Sequence, residues 1–194
     1  MNSMQVTITH EDPENADSVM LISELDAYLI PLYPPESCHG YSPKQLAKEN
    51  VAFFILWLNK EPAACGAVKL FDRGYAEIKR VYVRPRFRRK GLGKIIVKHL
   101  ENHAAQEGAK LIRLESGVNQ PEALALYEHM KYKRTTAFPP YLEDPLSVFY
   151  EKSIEPKASR FARVARLQCL KPLGGARILL QSLSPRSSCQ PCLR

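Results

Sequence analysis

The stretch Arg88-Arg89-Lys90-Gly91-Leu92-Gly93 decides how this chain folds. It follows a strand-like run, AEIKRVYV (76–83), and precedes a helix-like run, KIIVKHLENHAAQ (94–106). A strand, a glycine-bearing turn and a helix N-terminus together form an anion site, because the first N–H groups of a helix lack partners and its dipole favours negative charge. Gly91 and Gly93 have no side chains to hold a phosphate off the backbone. The alternative is an ordinary turn on a solvated basic surface, and the motif alone does not separate the two.

The positive charge of the chain is unevenly distributed. The 194 residues are enough for one domain with a sizeable core, and the formal net charge is +8. Residues 155–194 carry +7 and residues 1–154 carry +1. This distribution argues against specific nucleic-acid binding by the main body. We predict a domain over 1–154 and a poorly ordered basic tail over 155–194 that contains Pro, Ser and Arg. A basic amphipathic helix at 160–167, for an anionic membrane or a partner, is the alternative.

Targeting and redox signals point to the cytoplasm. No apolar run approaches the roughly 20 residues that span a bilayer, and the sequence MNSMQVTITHEDPEN does not resemble a secretory signal. The five cysteines are scattered and odd in number, so no disulfide framework is expected. Cys189 and Cys192 have a metal-like spacing without a second pair. His99 and His103 are four apart on a helix, where we expect a solvated face. No membrane contact by the main body and no metal are therefore predicted.

The order of elements predicts an α/β fold with a mixed sheet. Alternating and apolar runs predict strands, helical stripes predict helices, and short turns join three sequential antiparallel strands. The strand after helix 94–106 must lie parallel to strand 76–83, because its connection crosses over through a helix. The predicted order is β-α-α-β-β-β-α-β-α-β-β, a mixed sheet with helices on its faces.

These features resemble the GNAT superfamily of acetyl-CoA-dependent N-acetyltransferases. The family signature Arg/Gln-x-x-Gly-x-Gly/Ala is present at 88–93, and a second family pattern is matched by Asn119, Ala123, Leu126 and Tyr127. The resemblance covers residues 5–154 and implies a GNAT-like acyl-CoA N-acyltransferase fold. One departure is Lys131-Tyr132 in place of Gly-Phe. Glycine suits the left-handed end of a helix, and a lysine there costs roughly a kcal/mol.

The resemblance also implies a seat for acetyl-CoA, with no metal. The CoA pyrophosphate would lie on the amides of the turn, and the pantetheine arm would pair with the splayed end of the preceding strand, a form of β-augmentation. Asn119 would bond the pantetheine or cap the following helix. The cofactor-binding residues expected on this basis are Val81, Tyr82, Val83, Arg88, Arg89, Lys90, Gly91, Leu92, Gly93, Lys94 and Asn119.

Acetyl transfer to an amine needs a base, because an amine with a pKa near ~10.4 arrives protonated. Glu77 lies eleven residues before Arg88. Histone-acetylating members of the family carry their base at about this spacing, so Glu77 is the candidate. The alternative is a glutamate that faces solvent or pairs with Lys79 or Arg80. Tyr127 would protonate the leaving thiolate, or it is a half-buried aromatic. A backbone N–H near Val81 would polarise the acetyl carbonyl.

The acceptor is the least defined part of the prediction. Tyr33, Glu36, Tyr141 and Asp144 fall in loops that flank the acceptor side of this fold, where they select an amine or serve as ordinary turn residues. The expected reaction is direct transfer of acetyl to a small-molecule or protein amine. A non-catalytic acyl-CoA-binding module is the alternative. A homodimer is compatible with the fold.

Overall fold

The structure of the chain, a computed structural model, describes residues 5–37, 40–49, 51–72 and 74–156. The predicted order of strands and helices is confirmed. The strands are β1 (Val6–Glu11), β2 (Ala52–Leu58), β3 (Glu61–Phe71), β4 (Tyr75–Val83), β5 (Leu111–Gly117), β6 (Lys133–Thr135) and β7 (Ser147–Ser153). The helices are α1 (Ala16–Leu29), α2 (Pro43–Lys48), α3 (Leu92–Gln106) and α4 (Pro121–His129), with 3-10 helices at Ile30–Leu32, Pro35–Ser37 and Pro85–Phe87. The expectations for the tail, including Cys189 and Cys192, lie outside the described residues.

The seven strands form one mixed sheet in the order β1-β2-β3-β4-β5-β7-β6. Among the strands of the described residues, β4 and β5 are the parallel pair, as the helical crossover through α3 requires. The two strands pair over residues 75–77 of β4 and 111–113 of β5, and they diverge after Glu77. This divergence opens the middle of the sheet on its carboxyl side.

Helices cover both faces of the sheet, which explains the nearly continuous apolar run of β2. Phe53 and Ile55 pack with α1 and α2 in one core cluster, whereas Phe54 and Leu56 pack with α3 in the other. Successive strand side chains point to opposite faces, so a strand buried on both sides cannot alternate with polar residues. Burying each large apolar side chain contributes about 1.5–3 kcal/mol.

Local sequence features account for three helix ends. Ser42 and Gln45 form a reciprocal capping box at the start of α2. Gly108, with φ +90°, follows the end of α3. Lys131 has φ +71° after α4, the left-handed conformation that the family pattern gives to glycine. One bound differs from the sequence pattern: α3 begins at Leu92 rather than Lys94.

Candidate active site

A cleft of about 340 Å³ opens where β4 and β5 diverge. Its walls come from the carboxyl halves of these two strands, from α1 and the segment after it, from the start of α2, and from α4. The polar side chains that line it are Asp26, Tyr33, Ser37, Tyr41, Ser42, Gln45, Glu77, Lys79, Arg80, Glu115, Ser116, Gln120, Tyr127 and Tyr141. The cleft therefore combines acids, bases and phenols at the switch point of the sheet, where α/β folds commonly bind ligands.

A bulge in β4 shapes the cleft wall. Lys79 pairs with Ala67 and Tyr82 pairs with Cys65, so two residues of β4 face one residue of β3. Arg80, at φ +57°, is one of the two. A β-bulge increases local twist and bends the strand, and a non-glycine residue in this conformation is strained. The guanidinium of Arg80 is held by the carbonyl of Tyr41, at 2.7 Å, and by a carboxylate of α1.

The strand end beyond the bulge offers backbone groups to the gap. The N–H of Arg84 donates to the carbonyl of Ala63 on β3, at 3.0 Å. Because peptide groups alternate along a strand, those of Val83 point away from β3, toward the space that β5 has left. The carbonyl of Val83 accepts the Arg88 guanidinium, at 3.1 Å, so the N–H is the group of Val83 left for a ligand. This arrangement is what pairing with an extended amide-bearing ligand requires.

Glu77 is a buried carboxylate that is only half satisfied. Its side chain is 1% exposed, and Oε1 lies 2.7 Å from the ammonium of Lys79. Oε1 also accepts a hydrogen bond from the phenol of Tyr141. Oε2 is buried and has no hydrogen-bond partner among the described residues. The pairing with Lys79 that the sequence left open is present, and it leaves the other, buried oxygen without a hydrogen-bond partner among the described residues.

Tyr127 reaches the same cleft from α4. Its side chain is buried and packs edge-on against Tyr132, with ring centroids 5.7 Å apart. Burial, reinforced by the charge of Glu115, raises the pKa of the Tyr127 phenol. The phenol therefore keeps its proton at neutral pH. It is both a core aromatic and a protonated group in the cleft, so the two sequence interpretations are compatible.

The glycine turn has the geometry of an anion cradle. Gly91 is the N-cap of α3 with φ +77° and no side-chain cap, and Arg89 has φ +59°. The first helical bond runs from the N–H of Ile95 to Gly91. The preceding amides of the first turn therefore have no helical acceptor. Arg89, Lys90 and Lys94 are exposed around them, whereas the Leu92 side chain is buried in the core, leaving only its amide to a ligand.

Two residues expected at the cofactor are held by the protein itself. The guanidinium of Arg88 donates to the carbonyl of Val83, at 3.1 Å, and lies over the ring of Tyr28. The side-chain amide of Asn119 donates to the carbonyl of Leu32, at 3.2 Å. The expectation that Asn119 caps α4 is wrong, because Gln120 is the N-cap and makes no side-chain cap bond.

The predicted acceptor residues have different surroundings. Tyr33 lines the cleft, and its hydroxyl accepts the N–H of Asn119 at 2.9 Å. Tyr141 also lines the cleft, with its phenol at Glu77. Asp144 is not among the described residues that line it; its carboxylate instead accepts the N–H of Leu146 in a turn, at 2.8 Å. Glu36 lies in the 3-10 helix after α1, and its role stays a prediction.

The structure adds polar cleft residues that the sequence analysis did not place there. Glu115, on β5, lines the cleft and accepts a hydrogen bond from the hydroxyl of Ser147, at 2.8 Å. Asp26 and Tyr41 line it from α1 and from the segment before α2. Alternation along β5 was the only signal for Glu115. The other two depend on contacts between distant segments.

The paired histidines of α3 do not have the solvated surroundings expected from the sequence. The rings of His99 and His103 pack against Phe54, at centroid distances of 4.7 and 5.0 Å. Burial lowers the pKa of both histidines. Among the described residues no group of three His, Cys, Asp or Glu is arranged to hold a metal. Within the same part of the chain, no helix has the length and apolar character needed to cross a bilayer.

Comparison with known proteins agrees with this geometry. The model of the acetyltransferase (GNAT) family matches residues 22–132. The chain is 37% identical over 150 residues to the IAA acetyltransferase of Azospirillum brasilense, covering 77% of this chain and 98% of that one.

Two solved structures extend the likeness. A Klebsiella pneumoniae protein assigned as an acyl-CoA N-acyltransferase superposes with a TM-score of 0.64 at 36% identity, covering 77% of this chain and 97% of that chain. The PaiA N-acetyltransferase of Thermoplasma acidophilum, solved with coenzyme A, has a TM-score of 0.62 at 17% identity, with coverages of 78% and 100%. The acyl-CoA N-acyltransferase fold expected from the sequence is confirmed.

Proposed function

Because this chain belongs to the acetyltransferase (GNAT) family and is an N-acetyltransferase, we propose that it moves acetyl from acetyl-CoA to a primary amine by direct attack. Glu77 is the base in this proposal and Tyr127 is the acid. The observation that carries the assignment is the buried, unpartnered Oε2 of Glu77 in the cleft. A carboxylate oxygen buried without a donor is costly, which favours a site kept for a ligand proton.

The proposed seat for acetyl-CoA joins the glycine turn to the end of β4. The diphosphate would accept hydrogen bonds from the free amides at Leu92–Lys94, and the exposed Arg89 and Lys90 would neutralise its charge. The pantetheine arm would pair with the backbone of Val81 and Val83. Tyr82 contributes only its backbone, since its side chain packs in the core below α1. Arg88 fixes the strand end and lies next to the turn.

The residues of the cleft supply each proton transfer in the proposed reaction. The Oε2 atom of Glu77, directly or through a water, takes a proton from the bound ammonium, so the neutral nitrogen attacks the thioester carbonyl. The Val81 N–H stabilises the oxyanion. As the C–S bond breaks, the Tyr127 phenol gives its proton to the thiolate, and the resulting phenolate takes the second proton of the attacking nitrogen. The products are an acetamide and CoA, and Glu77 returns its proton to solvent.

Direct attack is favoured over an acetyl-enzyme on a described cysteine. Cys65 is fully buried, and burial raises the pKa of its thiol to about 12. A thiol nucleophile must be ionised and accessible, and Cys65 is neither. A non-catalytic module is not favoured, because the relatives are named as acetyltransferases and the candidate base and acid are both in the cleft.

The acceptor in this proposal is a small-molecule or protein amine that enters between α1, the 139–145 loop and β5. Tyr33, Glu36 and Tyr141 remain its proposed contacts, and Glu115 joins them because it lines this wall. Asp144 is left out on the ground of its turn. A cytoplasmic location and a homodimer also belong to the proposal; cell fractionation and size-exclusion chromatography test them.

The test is an acceptor screen with acetyl-CoA in which released CoA thiol is measured and the product is identified by mass. The panel would hold lysine, a polyamine, a peptide with a free N-terminus, and IAA, the compound in the name of the Azospirillum relative. We expect at least one amine to be acetylated. Acetyl-CoA should also raise the melting temperature, because it binds the native state. No shift at millimolar acetyl-CoA would refute the cosubstrate.

A pair of glycine variants tests where acetyl-CoA is seated. Gly91 and Gly108 flank opposite ends of α3, both are left-handed, and a Cβ on either would meet nothing within 4 Å. Alanine at either position should therefore cost a similar stability, roughly 1 kcal/mol. Only Gly91→Ala should raise the KM for acetyl-CoA, by about tenfold. An equal KM in the two variants would remove the turn from the seat.

A further inference from the structure

The cleft holds a buried lysine that the proposed reaction does not use. Lys79 follows Glu77 by two residues on β4, so both side chains leave the same face of the strand. The Lys79 side chain is 8% exposed, and its Nζ lies 2.7 Å from Oε1 of Glu77. The same nitrogen donates a hydrogen bond to the phenol of Tyr141.

Two tyrosine rings complete the surroundings of this ammonium. Its nitrogen lies 4.5 Å from the ring centroid of Tyr41 and 5.0 Å from that of Tyr141. Aromatic faces attract a cation, most strongly when it is shielded from water. The two rings and the carboxylate therefore all attract the Lys79 ammonium. The cation is built into the cleft wall.

Tyr141 donates to the same oxygen of Glu77 that Lys79 contacts. Burial and the neighbouring Glu77 charge raise the pKa of the Tyr141 phenol, so the phenol remains a hydrogen-bond donor. Oε1 of Glu77 thus receives two donors, one from Lys79 and one from Tyr141. Oε2 receives none from the described residues. Both contacts on one oxygen fix the rotation of the carboxylate.

We propose that Lys79 is a positioning residue for Glu77: it keeps the buried carboxylate ionised and, with Tyr141, assigns proton acceptance to Oε2. This inference rests on the proposed function, since it requires Glu77 to be the base. A buried carboxylate without a nearby cation takes up a proton, and a protonated carboxyl cannot accept one from the amine. In this proposal Lys79 removes that obstacle through its direct contact with Glu77.

The principal variant is Lys79→Met, which keeps an unbranched side chain shorter by one heavy atom and removes the charge. The pH profile of kcat/KM would be measured with acetyl-CoA and the most active amine of the panel. We expect kcat/KM at neutral pH to fall about tenfold and the acid limb to move up by about one pH unit or more. The rate should recover at high pH, and the KM for acetyl-CoA should not change. Lys79→Arg should keep the acid limb in place.

A double-mutant cycle separates positioning from a general structural role. If Lys79 acts through Glu77, Lys79→Met should have no further effect on kcat/KM in a Glu77→Gln background. Lys152→Met, which removes a cation from the other buried glutamate, Glu101, is the matched control and should not move the acid limb. A Lys79→Met loss that is equal at every pH, or that persists in the Glu77→Gln background, overturns the proposal.

The outcomes also distinguish this inference from the one on which it rests. If Glu77→Gln leaves kcat/KM unchanged, the base assignment fails and the role of Lys79 fails with it. If Glu77→Gln is impaired while Lys79→Met keeps the wild-type pH profile, only the role of Lys79 fails. Should Lys79→Met not fold, Tyr141→Phe removes the other donor from Oε1 and should move the acid limb upward by a smaller amount. An unmoved limb in that variant counts against the proposal.

Discussion

Two buried glutamates, Glu77 in the cleft and Glu101 on α3, differ in whether both of their carboxylate oxygens have a partner. Glu101 is 2% exposed, and each of its oxygens has its own lysine: Lys98 at 2.9 Å and Lys152 at 2.6 Å. Glu77 is as deeply buried, yet its two donors share one oxygen and the other has none among the described residues. Burial alone therefore does not distinguish a structural carboxylate from a reactive one. The number of donors on each carboxylate oxygen distinguishes the two.

The difference follows from what surrounds each residue. Glu101 bridges α3 to β7 through Lys152, so both oxygens are used in joining elements. Glu77 is the last residue of β4 that pairs with β5, and its second oxygen has no hydrogen-bond partner among the described residues. A fully satisfied ion pair stabilises or at least specifies packing, whereas a half-satisfied one costs stability unless a ligand completes it.

The largest effect should come from exchanging the carboxylates for amides and measuring activity. Glu77→Gln should lower kcat/KM at neutral pH by at least about 100-fold while acetyl-CoA still raises the melting temperature, because only the proton acceptor is lost. Glu101→Gln, equally buried, should keep activity within about twofold of wild type. Comparable activity in the two variants would erase the distinction drawn here.

Exchanging Glu101 for glutamine should also lower the stability of the protein. Glu101→Gln should lower the free energy of unfolding in urea by about 2 kcal/mol, because the partly buried Lys152 cation loses its partner. Glu61→Gln, whose partner Arg86 is as exposed as Glu61 itself, is the control and should change stability by less than about 0.5 kcal/mol. A Glu101→Gln effect no larger than the control would mean that the lysines are solvated.

A smaller effect on activity is expected from the phenols. Tyr127→Phe should lower kcat by about tenfold without changing the KM for acetyl-CoA, because the thiolate loses its proton donor. Tyr132 is a buried tyrosine in ring contact with Tyr127, and its hydroxyl has no hydrogen-bond partner among the described residues. Tyr132→Phe should therefore leave kcat unchanged. Equal losses in both variants would indicate disturbed packing rather than acid catalysis.

The smallest effect is a pH dependence of stability on the side of α3. Burial lowers the pKa of His99 and His103, whose charged neighbours include His10 and Glu107. A lowered pKa means that the unfolded chain binds more protons, so the free energy of unfolding should fall as pH drops below 6.5. Above that pH the pair contributes no pH dependence. Replacing both histidines with glutamine should reduce the change in the urea midpoint between pH 7 and pH 5. An unchanged dependence of the midpoint on pH would contradict this.

Local signals made much of the fold predictable from the sequence. The order of the elements and the helix that follows the glycine turn depend on local patterns, and both are confirmed. The bulge at Arg80 was not predictable, because it exists only in the register between β3 and β4. Asn119 was misjudged for a similar reason: its amide bonds a residue 87 positions away.

The site divides in the same way. Motif spacing identified Glu77 and Tyr127 as candidate catalytic residues, and both line the cleft. That Oε1 of Glu77 is doubly occupied and Oε2 is empty depends on a loop 64 residues later, which brings Tyr141 to it. The surroundings of His99 also depend on a distant residue, Phe54. Sequence reasoning identified the groups, and tertiary contacts decide how each one is satisfied.

The bulge at Arg80 has a consequence for how this gene can change. Ile78 and Val81 pack on the α3 side of the sheet, and Tyr82 packs on the other. Deleting the single codon for Arg80 would leave this alternation intact and let β4 pair with β3 without interruption. The shortened protein should fold, with a more regular sheet and a lost bend at the cleft. Comparing the activity and the stability of this deletion variant would therefore separate the contribution of the bulge to the cleft from its contribution to folding.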